Sequence, residues 1–298
     1  MRFRLLIIFT LCIPFYSQGQ KNALVLQSDF GLKDGAVSAM KGVAFGVSPS
    51  LNIFDVTHEI PAYNIWEAAY RLHQTAPYWP AGTVFVSVVD PGVGSSRKSV
   101  VLKTKTGHFF VTPDNGTLTL VAEYMGVAEV REIDEHVNRL KNSQESYTFH
   151  GRDVYAFTGA RLAAGTITFE QVGKKLPNEV VMIPYQKPTV ENGIVKGTIP
   201  VLDIQYGNVW TNVDKTTFQK LNIKNGDLLQ VKIYQNNQQV VDLKMPFVQT
   251  FADVEEGKNL CYLNSLLNVS FGINQQNFSE TYKVFSGAEW TVSIQKTN

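Results

Sequence analysis

Cysteine is nearly absent from this chain. Only Cys12 and Cys261 occur among 298 residues, and Cys12 falls in an N-terminal leader, so the mature chain is expected to form no internal disulfide. Histidine is scarce too: there are five, none paired at metal-ligand spacing, and no metal is expected. No sign of charge dominates. Twenty-seven Lys and Arg balance 26 Asp and Glu with no basic block, which argues against nucleic acid as a partner. The chain also lacks a serine or cysteine nucleophile elbow, a phosphate-binding loop and a dinucleotide glycine fingerprint. Covalent acyl-enzyme chemistry and the common nucleotide folds are thereby disfavoured. Beyond residue 15 no apolar run is long enough to cross a bilayer, so no membrane span is expected in the mature chain.

What is present begins with the leader. Arg2 and Arg4 precede an apolar run from Leu5 to Phe15, and Ser17-Gln18-Gly19 supplies small residues for a signal peptidase. This pattern predicts a signal peptide over residues 1–20, cut after about Gly19, and an exported, periplasmic product. Next, residues 21–186 alternate strand and helix patterns. Strands are expected at 23–28, 51–56 and 83–89, helices at 34–47 and 65–78, a hairpin at 99–112 and a helix at 154–164. That alternation predicts an α/β N-terminal domain with a mainly parallel central sheet. Pro184 to Gly193 forms a linker, and residues 187–298 are almost wholly strand-like. They are expected to form a smaller, all-β C-terminal domain of antiparallel sandwich or barrel type.

Chemistry concentrates where strands end. The run Thr83 to Val89 stops at Asp90, followed by Pro91-Gly92-Val93-Gly94 and, seven residues after the acid, Arg97. Proline and glycine make this a tight turn, and the carboxyl ends of strands in open α/β sheets face the ligand crevice. Asp29 closes the first strand, and His150-Gly-Arg-Asp153 opens a helix. A carboxylate, a guanidinium and an imidazole together can hold and polarise one water. The residues alone leave blander roles open: Asp90 bracing its own turn with Arg97 as a surface partner, His150 as an ordinary helix cap, and Trp210 as a core residue behind a β-turn.

Six stretches then occur in order: Ser28-Asp-Phe-Gly, Val89-Asp-Pro-Gly-Val-Gly through Arg97, Pro113-Asp-Asn-Gly-Thr, Thr148-Phe-His-Gly-Arg-Asp153, Asp203-x-x-Tyr-Gly-Asn-Val-Trp-Thr-Asn212 and Thr250-Phe-Ala-Asp253. Together they closely resemble the S-adenosylmethionine hydroxide adenosyltransferase family, relatives of the fluorinase and chlorinase, from about Ala23 to the C-terminus. The resemblance implies hydrolysis of S-adenosylmethionine to adenosine and methionine by attack of water at the ribose C5′ carbon. S-adenosylmethionine is then the substrate and no cofactor is needed. A homotrimer is implied, with each ligand bound between the N-terminal domain of one subunit and the C-terminal domain of its neighbour. The water-handling triad falls on Asp90, Arg97 and His150. By the same matching Asp29 holds the ribose hydroxyls, Tyr63 lies near the ribose and Phe149 lines the pocket. Asp203 and Asn208 engage the methionine end or the sugar, and Phe251 stacks on adenine. Tyr206 and Trp210 are further aromatic candidates, and Ser265 and Asn274 belong to a segment that contacts adenine and the methionine carboxylate. Leu267 and Gln275 stand in that segment where the family has glycine and small residues.

The resemblance favours water over halide, because the halogenases lack the acid and the histidine that stand here at positions 90 and 150. Two other classes remain as expectations. One is an exported binding protein for adenosine or S-adenosylmethionine, and the other a metal-dependent phosphoesterase using Asp29, Asp90, Asp114 and His150. An exported hydrolase also lacks an evident supply of a cytoplasmic metabolite.

Overall fold

The computed structural model describes residues 23–297, so the leader lies outside the described residues. Seven strands form the first sheet: β1 (Leu24–Ser28), β2 (Ile53–Thr57), β3 (Val84–Val88), β4 (Ser99–Thr104), β5 (Phe109–Pro113), β6 (Val127–Glu132) and β7 (Lys175–Leu176). Their order is β2-β1-β3-β5-β4-β6-β7. The β1–β2, β1–β3 and β3–β5 pairings are parallel, whereas β4–β5, β4–β6 and β6–β7 are antiparallel. Five of the seven strands therefore run in one direction, and the mainly parallel sheet expected from the sequence is what forms.

Strand alternation divides the apolar residues between the two faces of this sheet. Leu24, Leu26, Val84 and Val86 pack with Met40 and Ala44 of α1 (Ala36–Val47). Val25, Phe85, Val100 and Leu102 face the other way, against Leu72 of α2 (Ile65–Thr75) and Val121 of α3 (Thr119–Met125). After β1 the chain crosses to β2 on one side, and after β2 it crosses back to β3 on the other. The gap between β1 and β3 is thus a topological switch point, where open α/β sheets place ligands.

The sequence predicts one helix from Val154 to Ala164. The structure instead starts earlier, with a π-helical turn over Gly151–Ala156 that becomes α4 (Phe157–Ala163). Wide turns of this kind are frequent at functional sites.

From residue 189 onward every strand pairing is antiparallel. One sheet joins β8 (Thr189–Glu191), β9 (Ile194–Ile199), β12 (Leu228–Gln235), β13 (Gln238–Pro246) and β16 (Gly287–Lys296) in the order β13-β12-β16-β9-β8. The other joins β10 (Val201–Asp203), β11 (Asn208–Asp214), β14 (Asn259–Leu263) and β15 (Asn268–Ile273) in the order β10-β11-β15-β14. Val195, Val231 and Trp290 from the first meet Val209, Val269 and Phe271 from the second in one buried core. The result is a sandwich, one of the two expected forms. The strand-like run 194–204 is broken at Pro200, which has no N–H to give to a ladder. At that point the chain leaves one sheet and enters the other. No helix among the described residues is long and apolar enough to cross a membrane.

Candidate active site

Two neighbouring strand ends build the first half of the site. Ser28 of β1 lies in register with Val88 of β3, so Asp29 and Asp90 leave the sheet side by side at the switch point. The turn after β3 is closed by Val93 N–H donating to the Asp90 carbonyl (3.3 Å) and Ser95 N–H to that of Gly92 (3.0 Å). Gly94 sits at φ +80°, a conformation that glycine adopts without strain. Asn115, from the Pro113-Asp-Asn-Gly turn, donates to the Val89 carbonyl at 2.9 Å and pins the strand end just before the acid.

On this turn Arg97 grips Asp90 with two nitrogens. Nε donates to Oδ1 at 2.7 Å and Nη2 to Oδ2, while Nη1 reaches Ser99 Oγ at 3.2 Å. The side chains of Arg97 and Asp90 are only 12% and 6% exposed, so the surface-pair reading of these residues is wrong. Burial opposes the charge on Arg97, but the bond to Asp90, with the field of Tyr155 and Asp90, outweighs it and raises the guanidinium above its ordinary value. Arg97 Nη2 also lies 3.4 Å from His150 Nδ1. His150 is buried, and burial lowers its imidazole below the usual value; Arg139 and Arg97 add to this, whereas Glu135 and Asp90 oppose it. The triad suggested by the sequence is therefore one contiguous cluster.

Asp90 and His150 open onto a cavity of about 280 Å³ that Asp29, Tyr63, Phe149 and Gly151 also line. Asp29 Oδ2 accepts the Tyr63 N–H at 2.9 Å. Tyr63 is 72% exposed and held at φ +66°, which is costly for a bulky residue. Phe30 and Phe149 meet edge to face, 5.7 Å apart. A Cβ on Gly151 would come within 3.0 Å of the Phe30 ring and 3.2 Å of Val88, so glycine there keeps the π-turn close to the strand.

The C-terminal region carries the second half. Asp203, Tyr206, Asn208, Trp210, Phe251, Ser265 and Asn274 all line a cavity of about 740 Å³, within the range of small-molecule pockets. Asn208 Nδ2 donates to Asp203 Oδ2 at 3.2 Å, and the Gly207 N–H closes the intervening turn on the Asp203 carbonyl at 2.7 Å. Phe251 rests on Tyr262, with ring centres 5.0 Å apart. Its short 3-10 turn is capped at Thr250, where Asp253 accepts the Gln249 and Thr250 N–H groups. Asn264 Nδ2 is buried without a partner, a donor that a ligand in this cavity can satisfy. Trp210 is only 7% exposed and packs on Ala69 and Tyr70 of α2; it is a core residue as well as a wall of the cavity. The two cavities share no lining residue, so one chain brings together the triad with Asp29, Tyr63 and Phe149, but not these with the C-terminal group.

Asp114 accepts the Val181 N–H at 2.8 Å and does not line the cavity onto which Asp90 and His150 open. No group of three or more His, Cys, Asp or Glu that could hold a metal ion gathers among the described residues, which leaves the phosphoesterase reading without its ligand set. Sequence reasoning also passed over Arg139, whose Nη2 lies 2.9 Å from His150 Nε2. Its only sequence signal is the Glu135–Arg139 pair at i,i+4 spacing in a polar loop.

Comparison with known proteins places the chain in a family. The S-adenosylmethionine (SAM) hydroxide adenosyltransferase N-terminal domain matches residues 24–173 and the corresponding C-terminal domain matches residues 197–291. The chain belongs to the SAM hydroxide adenosyltransferase family. Among its relatives, the (R)-S-adenosyl-L-methionine hydrolase of Methanocaldococcus jannaschii is 37% identical over 246 residues, covering 81% of this chain and 84% of that protein. A fluorinase from Actinoplanes sp. is 28% identical over 295 residues, covering 91% and 97%. A solved structure of a conserved protein from Thermotoga maritima superposes with a TM-score of 0.84 at 36% identity, covering 91% of this chain and 99% of that one. In this member of the SAM hydroxide adenosyltransferase family, Leu267 and Gln275 both adopt φ +60°. The backbone there keeps a glycine-like conformation although the residues are not glycine.

Proposed function

We propose that this protein hydrolyses S-adenosyl-L-methionine to adenosine and L-methionine. The observation that carries the reading is the buried Asp90–Arg97–His150 cluster opening onto the cavity lined by Asp29, Tyr63 and Phe149, in a chain 37% identical to a relative named for this hydrolysis. Arg97 orients and holds the Asp90 carboxylate, and a water between Asp90 and His150 is aimed at C5′. The water oxygen forms the new bond to C5′ while the C5′–S bond breaks. Its electron pair stays on sulfur and gives neutral methionine, so no strong general acid is required. The water's proton passes to a group of the cluster and then to solvent. Holding water and carbon at near-attack distance contributes several kcal/mol, and proton removal during attack adds roughly 10²–10⁴ in rate.

Asp29 is assigned to the ribose hydroxyls through the oxygen that Tyr63 does not occupy, and Phe251 to stacking on adenine. Aromatic faces of Tyr63, Tyr206 and Trp210 can stabilise the sulfonium by roughly 0.5–2 kcal/mol each when in contact. The N-terminal and C-terminal cavities of one chain are separate, which supports sites completed between subunits of a homotrimer. An ionised Asp90 repels halide, so fluorination is not expected. We also infer export from the 1–20 leader pattern, with the substrate scavenged outside the cytoplasm.

The test is incubation of the mature protein with each sulfonium epimer of S-adenosyl-L-methionine, followed by chromatography. Adenosine and methionine in equal amounts support the reading, whereas binding without turnover supports the exported binding protein instead. A fluoride arm that yields 5′-fluoro-5′-deoxyadenosine would overturn the preference for water.

A further inference from the structure

His150 stands between two arginines, and both can only donate. Arg139 Nη2 lies 2.9 Å from Nε2 on one side, and Arg97 Nη2 lies 3.4 Å from Nδ1 on the other. A neutral imidazole has one lone pair and one N–H, so it can accept from only one of them. An N–H facing Arg139 at 2.9 Å would set donor against donor, whereas the looser 3.4 Å contact with Arg97 tolerates a hydrogen. Nε2 is therefore the acceptor and Nδ1 carries the proton.

Arg139 is built to do this. Its side chain is 4% exposed. Nε and Nη2 both donate to Glu135 Oε2, at 3.2 and 2.6 Å, so the two Nη2 hydrogens divide between Glu135 and His150. The guanidinium lies 4.8 Å from the centre of the Tyr147 ring, and Nη1 is buried without a partner. A buried arginine fixed on both sides, with an unpaired donor left over, is aimed at the imidazole rather than free to move off it.

We propose that Arg139 is a positioning residue that locks His150 in the Nδ1–H tautomer, making His150 a hydrogen-bond donor to the attacking water and leaving the Asp90 carboxylate to take the water's proton. This rests on the hydrolytic reading above and deepens it. On this assignment Nδ1–H has no protein acceptor among the described residues, since its neighbour at hydrogen-bond distance is the donor Arg97 Nη2, and His150 lines the cavity from which a water can accept. It holds the water by donating to one oxygen lone pair, while the other lone pair attacks C5′ and the proton leaves for Asp90. Arg139 itself touches no substrate and acts through the imidazole, as groups that orient a catalytic histidine do elsewhere.

The experiment reads the tautomer directly. In two-bond ¹H–¹⁵N spectra of ¹⁵N-histidine-labelled protein, the His150 signals are those lost in His150→Gln. A pyrrole-type Nδ1 and a pyridine-type Nε2 in the wild-type protein support the proposal, and a protonated Nε2 overturns it. In Arg139→Met the Nε2–H form is expected to appear, and kcat to fall about tenfold or more with KM changed less than about twofold. Arg139→Lys keeps one donor and should restore the Nδ1–H form and part of kcat. Unchanged kcat and tautomer in Arg139→Met would overturn the proposal, and if that variant does not fold, the wild-type spectrum and Arg139→Lys decide it. Wild-type protein that yields no adenosine counts against the hydrolytic reading alone, because the tautomer is measured independently of turnover.

Discussion

On the proposed hydrolytic reading, Asp90 carries the heaviest chemical demand of any single residue. Its two oxygens are both engaged by Arg97, so the carboxylate is fixed in orientation beside the cavity. Asp90→Asn keeps the shape, but it turns one acceptor into a donor facing the guanidinium and removes a proton acceptor from the site. We expect kcat to fall by about 10²–10⁴ with KM changed far less, since the loss is confined to the transition state. Steady-state kinetics with calorimetric titration of the substrate checks this, and equal losses in binding and turnover would place Asp90 in binding instead. At the same scale, Leu267 is 54% exposed and its backbone sits at φ +60°. Relief of left-handed strain is worth about 1–2 kcal/mol, against an entropy cost of about 0.5–1 kcal/mol for glycine. The first effect wins, so Leu267→Gly should raise stability by about 0.5 kcal/mol in urea titrations.

Turns, more than strands, decide how well the second cavity is formed. The turn from β10 to β11 carries Asp203, Tyr206 and Asn208, and it closes through Gly207 at φ +69°. A Cβ there would lie 1.8 Å from Asn277 Oδ1, and the Gly207 carbonyl accepts the Ser279 N–H at 2.9 Å. Gly207→Ala must strain the backbone and displace Asn277 together, so a loss of about 1–3 kcal/mol is expected with a raised KM, read by thermal melts and kinetics. The same contrast explains what was legible beforehand. Strands β1 and β3 announce themselves as apolar runs cut off by an acid, and the structure bounds them within a residue or so of the sequence reading. The π-turn at Gly151–Ala156 does not, because one extra residue in a turn leaves the apolar spacing almost unchanged. The short helices Lys215–Gln219 and Phe278–Tyr282 are too brief to show a period at all. Pro200 was visible, but only the sheet order reveals that it marks a change of sheet. Asp90, Arg97 and His150 could be picked out as a set through family motifs, whereas Arg139 sits in an irregular loop whose fold the sequence does not encode locally.

Across the whole molecule, acid should weaken the fold before base does in the range near neutrality. His58, His73 and His150 all titrate below their ordinary value because burial disfavours the charged ring. A lowered folded value means that the unfolded chain binds the proton first. The stability these neutral rings contribute is therefore present above about pH 6.5 and is lost progressively as pH falls below it. Thermal melts from pH 8 to pH 5 should show a falling midpoint, and His150→Gln should flatten part of that slope. The separate cavities give a second prediction at this scale. If each active site joins the N-terminal cavity of one subunit to the C-terminal cavity of another, a chain with Asp90→Asn and a chain with Phe251→Ala spoil different halves. Each variant alone has only damaged sites, but in mixed trimers assembled by co-expression at equal amounts about one quarter of the sites combine two intact halves. Activity near a quarter of wild type in the mixture, with little in either parent, is the expected outcome. Sites contained within one chain would give no recovery, since every chain in the mixture would still carry its own lesion.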